Sequence, residues 1–402
     1  MNATTDALRI SFVIYLDNSA TTRVRPQVLE AMLPYLQDNF GNPSSIHALG
    51  RTAREAMDNA RSQVARLLNC QANEVYFASC ATMANNVALL GRARFVEANG
   101  QPRHLITSNI EHPAVLGPAQ YLEAQGWKVT YLAVNREGLL DAEKLQAALG
   151  DDTSIVSLMW ANNEIGAVQP LSQLAEIVRA HGERIGREIF FHTDAVQVPG
   201  KLPIDLSAMP VSALALSGHK FGAPKGIGVL FLRRLVNVMP IIFGGGQEMG
   251  LFAGTEPLPN IVAIGVAAEL AKAEQEELCR RLRSYQSRLL EKVLAIPAVS
   301  VTGPRDIEKR LPGHVSIAVS KAEGEALVLK SDLRGICLSS GSACHRGIIE
   351  PSHVLKAIGL SEDNALGALR ITFGVDNSES DFEEAAAKLV DLFSKAKVKT
   401  AP

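Results

Sequence analysis

The chain has 402 residues, 47% of them hydrophobic and 20% charged, with a formal charge of −2, the make-up of a soluble globular enzyme with room for a large and a smaller domain. The near-neutral balance excludes the basic footprint of a nucleic-acid-binding protein, and no apolar run approaches the roughly 18 residues of a membrane span. Five cysteines at 70, 80, 279, 337 and 344 without a CxxC pair, and nine histidines without ligand spacing, predict neither a disulfide framework nor a bound metal. Met1 to Ile10 is polar and lacks the basic-then-apolar order of a secretion signal, so the cytoplasm is the expected location.

The first element is Ile14 to Leu16, a short strand running into the polar turn Asp17-Asn18-Ser19-Ala20-Thr21-Thr22, with Pro26 placed to open a helix. After the loop Phe40-Gly41-Asn42-Pro43-Ser44-Ser45, apolar residues at helical spacing predict a surface helix from Arg51 to Leu68. Val75 to Phe77 reads as a strand, followed by Ser79-Cys80-Ala81-Thr82-Met83-Ala84-Asn85-Asn86 and a helix to about Leu90. Small residues and a threonine at such a turn suit a phosphate, because free N–H groups and the positive end of the helix dipole meet there. Thr82 as a plain N-cap has the same appearance in sequence.

His104 to Thr107 predicts the next strand, leading to Glu111-His112-Pro113 at a helix start, where the dipole disfavours a protonated histidine. As a residue alone, His112 reads more readily as structural than as catalytic. Lys128 to Leu132 and Ser154 to Met159 are further strands, with a helix over Asp141 to Leu149 between them. The second ends in Asn162-Asn163-Glu164, polar residues at the carboxyl end of an open-sheet strand, where such folds bind ligands.

Glu188 to Gln197 holds another apolar strand, closed by Asp194, and the apolar run Val211 to Leu216 leads to Ser217-Gly218-His219-Lys220-Phe221-Gly222. Lys220 stands 26 residues after Asp194, room for one crossover and one more strand, so the two can flank one ligand. Glycines around Lys220 allow close approach, and partial desolvation favours its neutral, nucleophilic amine. A surface turn is the alternative on these residues alone.

Gly244 to Glu256 is glycine-rich but lacks the Gly-Lys-Ser/Thr of a nucleotide loop, and reads equally as a flexible surface loop. A long helical pattern from Asn260 to Leu294 leads into a smaller domain, with strand-like stretches at Val299 to Thr302, Gly313 to Val319 and Ala368 to Phe373. Cys337, in an apolar strand, looks buried and inert. Cys344 follows small polar residues on a loop ending at Pro351, with His345 and Arg346 beside it to favour the thiolate, although a lone cysteine reads more readily as structural. Arg370 is a charge inside a strand and needs a partner there.

Taken in order from Tyr15 to about Leu392, the stretches YLDNSATT, FGNPSS, SCATMANN, EHPAVL, NNEIG, HTDAVQ, SGHKFGAPKGIG, GGGQEMGLFAGT and SSGSAC with EPSHVLKAIGL resemble the NifS/IscS-type cysteine desulfurases, pyridoxal-phosphate enzymes of fold type I. The resemblance implies an α/β fold: a large cofactor-binding domain over residues 19–258 with a mostly parallel seven-stranded sheet, and a smaller α+β domain from residues 1–18 and 259–402 that carries the cysteine loop. It implies Lys220 for the cofactor aldehyde, Asp194 for the pyridine nitrogen, and Ala81, Thr82, Ser217 and His219 for the phosphate. Asn163 and Gln197 would meet the phenolic oxygen, and His112 would stack on the ring and move protons. Thr255 would reach the partner's phosphate across a homodimer, and Arg370, with Asn163, would hold the substrate.

By the same resemblance, Cys344 takes sulfur from L-cysteine as a persulfide, L-alanine is released, and the sulfur passes to an acceptor protein. Such persulfides feed iron–sulfur scaffolds, tRNA thiolation and DNA sulfur modification. Two departures from the family pattern point to a specialised acceptor and a drier pocket wall: Cys80, Met83 and Ala84 replace the glycine, glutamate and serine of SGATES, and Met249 and Phe252 replace basic residues. Direct contact with nucleic acid or membrane is not expected. The alternatives are a cysteine or cystine C–S lyase releasing sulfide and pyruvate, and a catalytically weak scaffold that mainly binds a partner.

Overall fold

The computed structural model describes residues 13–345 and 348–396; the polar N-terminus up to residue 12 and Arg346 lie outside the described residues. Among the described residues, no helix is long and apolar enough to cross a membrane. The chain forms two compact units, the larger from residues 20–163 and 167–279, the smaller from the described residues up to Ser19, Glu164–Gly166 and those from Arg280 on.

The chain enters through the two-residue strand β1 (Ile14–Tyr15). The larger unit then supplies β2 (Val75–Ala78), β3 (His104–Ser108), β4 (Lys128–Leu132), β5 (Thr153–Ser157), β6 (Phe190–Asp194), β7 (Ala213–Ser217) and β8 (Gly228–Leu232). They make one sheet in the order β2-β8-β7-β6-β5-β3-β4, as the seven-stranded expectation required. Only β8 runs against its neighbours, so the other six strands end on one edge. A sheet covered on both faces reads as continuous apolar runs, and β5 to β8 are buried at every position. Phe190, Phe191, Leu214, Leu216, Val229 and Leu230 are at most 1% exposed, each contributing about 1.5–3 kcal/mol of transfer free energy.

Two expectations shift. The helix after β2 runs from Ala81 to Ala98, well beyond Leu90. The helical run from Asn260 to Leu294 is two helices, Leu258–Ala273 and Gln275–Leu294, parted at Glu274, whose carboxylate takes both terminal nitrogens of Arg25 at 2.9 Å. The larger compact unit runs on to Cys279. Helix Leu258–Ala273 is mostly apolar and packs on helix Ala48–Leu68, inside the larger unit.

The smaller unit holds β9 (Val299–Val301), β10 (His314–Val319), β11 (Ile336–Cys337), β12 (Ser339–Ser340), β13 (Ser342–His345), β14 (Ile348–Pro351) and β15 (Ala368–Thr372). An antiparallel sheet runs β12-β15-β10-β9, and β1 pairs with β11. Tyr285 stacks on Phe382 at 4.9 Å and meets Phe373 at 5.5 Å, which ties the second long helix to this unit. The loop expected around Cys344 is a hairpin: β13 pairs antiparallel with β14, with Cys344 in register with Ile349. Cys337 is half-buried, not buried as expected, and burial raises its thiol pKa all the same.

Candidate active site

Strands β2, β3, β5, β6 and β7 deliver their carboxyl ends to the same edge of the sheet, the place where open α/β sheets bind ligands. There a cavity of ≈ 290 Å³ is lined by Ala81, Thr82, His112, Asn163, Asp194, Gln197, Ser217, His219 and Lys220. These come from five separate stretches of sequence, and all belong to the larger unit. Cys80, Asn85 and Met159 complete much of the wall.

Lys220 ends a tight 3-10 turn, Gly218–Lys220, that follows β7 directly. The turn is stitched to the YLDNSATT segment: Thr22 donates from N and Oγ1 to His219 O, and Gly222 N donates to Thr22 Oγ1 at 2.9 Å. Gly222 has φ +95, and a Cβ there would lie 2.5 Å from Arg25 Cγ, so only glycine fits. Lys220 Nζ donates to Ala20 O at 2.7 Å. The imidazole of His219 shares a hydrogen bond with Thr21 Oγ1 at 3.1 Å, and burial, with Lys220 and Lys225 nearby, pushes its pKa down to about 4. His219 is therefore neutral at pH 7.

At the neighbouring strand end, Asp194 is 6% exposed. Its oxygens accept from Val196 N at 3.0 Å and from Asn85 Nδ2 at 2.8 Å, both neutral donors. Two residues earlier, fully buried His192 meets Ser157 Oγ at 2.8 Å, and burial pushes its pKa down to about 3.

Helix Ala81–Ala98 begins at the same edge. Cys80, not Thr82, is its N-cap, and no side chain caps it. The amides of Ala81, Thr82 and Met83 precede the first intrahelical bond, from Ala84 N to Cys80 O, and face an anion-ready N-terminus. Gly228 lets β8 pass this close: a Cβ there would lie 2.8 Å from Ala81 N. Of the departures, Cys80 does line the cavity, whereas Met83 packs toward Ser79 and Ala84 is fully buried.

His112 caps helix Pro113–Ala124, its Nδ1 accepting from Ala114 N at 3.1 Å. That places the ring proton on Nε2. Beside it, Glu111 is fully buried, its Oε1 accepting from Ser108 Oγ at 2.6 Å and Met159 N at 2.9 Å. Loss of hydration outweighs those bonds and, with Asp194 nearby, raises its pKa from 4.5 to about 8.

Between those two values the folded chain keeps a proton that the unfolded chain has released. The stability Glu111 allows at pH 4.5 is therefore lost as pH rises toward 8, by up to about 1.4 kcal/mol per pH unit. His192 acts on the opposite flank: its contribution is complete above 6.5 and is lost as pH falls toward 3. Glu111→Gln keeps the acceptor oxygen and is expected to remove only the alkaline decline. Urea melts of cofactor-free protein from about pH 5 to about pH 8 check this: the variant should match the parent at the acid end and exceed it at the alkaline end.

Thr255 does not line the cavity; it is exposed on the glycine-rich loop. That loop is anchored by buried Glu248, which takes Arg61 at 2.7 and 2.8 Å and Phe77 N at 2.8 Å. Met249 is 63% exposed, whereas Phe252 is buried in the core. Arg370, on β15, finds its partner in Asp17, with Nη2 to Oδ1 at 2.7 Å. Asn85 and Glu111 are members that sequence reasoning quoted inside motifs without assigning. Polar residues retained among apolar helix positions were the available signal for Asn85.

The donor set suits pyridoxal phosphate. Lys220 supplies an amine, Asp194 a buried carboxylate that accepts from two neutral donors, and the uncapped helix start a seat for a phosphate. Ser217 and His219 line the same cavity.

Comparison with known proteins agrees with this geometry. Residues 14–384 match the aminotransferase class-V family. Cysteine desulfurase IscS of Methanosarcina thermophila is 43% identical over 382 residues, 95% of this chain and 92% of the relative. Among solved structures, a NifS-like protein superposes with a TM-score of 0.88 at 35% identity, over 95% of this chain and 99% of that one. SspA in complex with cysteine superposes with a TM-score of 0.76 at 36% identity, over 89% and 98% of the two chains.

Proposed function

Since the chain belongs to the aminotransferase class-V family and is a pyridoxal-phosphate-dependent cysteine desulfurase, we propose that it converts L-cysteine to L-alanine and leaves the sulfur as a persulfide on Cys344. The observation that carries this is the single cavity gathering Lys220, Asp194, His219 and the uncapped helix start. When bound there, pyridoxal phosphate supplies an aldehyde for amine exchange and a ring that delocalises electron pairs from the substrate carbons.

The residues of the chain do the rest. Asp194 would hold the proton on the ring nitrogen, and the Ala81 and Thr82 amides with Ser217 and His219 would hold the phosphate. Asn163 and Gln197 orient the ring. Lys220, once its amine is free, takes the proton from the substrate α-carbon. His112, with its proton on Nε2, handles the proton of the substrate thiol. The Cys344 thiolate attacks the substrate sulfur: an S–S bond forms, the C–S bond breaks, and the carbon fragment takes up protons to leave as alanine. The persulfide sulfur then passes to an acceptor protein, in a specialised pathway such as DNA or tRNA sulfur modification. Recovery of only a general iron–sulfur scaffold with tagged protein would count against that last step.

Arg370 is assigned the substrate carboxylate, with Asp17 orienting its guanidinium from one side. Arg370→Lys keeps the charge and loses the planar fork. We expect KM for cysteine to rise about 10- to 100-fold with a smaller change in kcat. An unchanged KM would return Arg370 to a purely structural ion pair.

A further inference from the structure

Asn85 is the fifth residue of helix Ala81–Ala98 and is fully buried. Asparagine is a poor helix former, and a buried amide must recover its lost hydration in hydrogen bonds. Asn85 recovers it in one direction only. Its Nδ2 donates to Asp194 Oδ2 at 2.8 Å, while its Oδ1 is buried with no hydrogen-bond partner among the described residues. A residue serving only to fill space would avoid that orphaned oxygen.

The amide has one workable orientation, because turning it over would set Oδ1 against a carboxylate oxygen. With Val196 N donating to Asp194 Oδ1 at 3.0 Å, both oxygens of Asp194 are held, one from the helix and one from the turn after β6. Two such bonds set the plane of the carboxylate, and neither cancels its charge. Asn85 and Asp194 also line the same cavity.

We propose that Asn85 is a positioning residue, which holds the Asp194 carboxylate in one plane so that it can keep the ring nitrogen of the bound cofactor protonated. This rests on the cofactor reading above. The other titratable groups around Asp194 are Glu111 and His112 after β3, Cys80 at the helix start, and His219 and Lys220 after β7. All are retained in the variants that follow.

The test compares the parent with Asn85→Leu and Asn85→Asp, each stripped of cofactor and titrated with pyridoxal phosphate by visible absorbance across neutral pH. Leucine keeps the volume and removes the donor. Cofactor affinity should fall about tenfold or more, and the midpoint of the absorbance–pH curve should move by about half a unit or more. The introduced carboxyl of Asn85→Asp can donate only while it carries a proton. Its cofactor affinity should approach the parent's at the acid end and fall away as pH rises.

That pH-dependent rescue is read within one variant, so it stands even if leucine unsettles the helix. Parent-like affinity and curve in Asn85→Leu, or equal and pH-independent losses in both variants, would overturn the proposal. A parent protein that never develops the visible band would overturn the cofactor reading instead.

Discussion

Cys344→Ala is expected to lower alanine release from cysteine by about a thousandfold or more and to abolish the protein-bound persulfide. Without that thiolate no S–S bond can form as the C–S bond breaks, and the substrate would have to expel sulfide unaided. Cofactor binding should be unaffected, since the cavity that seats it is built from the larger unit alone. The measurement is product analysis with cysteine, together with mass spectrometry of alkylated protein. Pyruvate and free sulfide, indifferent to the substitution, would mean a C–S lyase.

Lys220→Ala is expected to be as severe, for a different reason. The variant should lose the visible absorbance of the cofactor-loaded protein and about a thousandfold or more in turnover, because one amine both meets the aldehyde and moves the α-proton. The fold should survive, since β7 and the turn that carries Lys220 are held by backbone hydrogen bonds that the substitution leaves in place. An added small primary amine should restore part of the rate. Turnover that persists in Lys220→Ala would remove the enzyme reading altogether.

The same variant examines the proposed homodimer. Mixed with Thr255→Ala chains, it should form hybrids with one intact site, made from Lys220 of one chain and Thr255 of its partner. Activity of the mixture above that of Thr255→Ala alone is the expected result. No gain would place Thr255 at its own chain's site or at none.

Much of this was legible from local pattern. The apolar runs at 154–159, 188–197 and 211–216 became β5, β6 and β7, because strands buried on both faces have little choice but continuous apolar side chains. The polar residues that close those runs are, for the same reason, the ones left at the sheet edge. Lys220, Asp194 and Asn163 could be named from that alone, and their motifs carried the family. Less legible were the helix break at Glu274 and the Cys344 hairpin. The first sits within a stretch of uniform helical propensity, and the second pairs two short segments with little alternation to mark them.

By itself, the sequence determined the chemistry available: which amine, which carboxylate and which thiol, each at the end of a predictable element. Only the tertiary structure decided their states. Asn85 meets Asp194 across 109 positions, Glu111 is held neutral by burial beside Asp194, and His219 loses its proton through burial in the company of Lys220 and Lys225. Periodicity reports on a residue's own face. Hydration and charge depend on which strands lie side by side, and strand order is a property of the whole sheet.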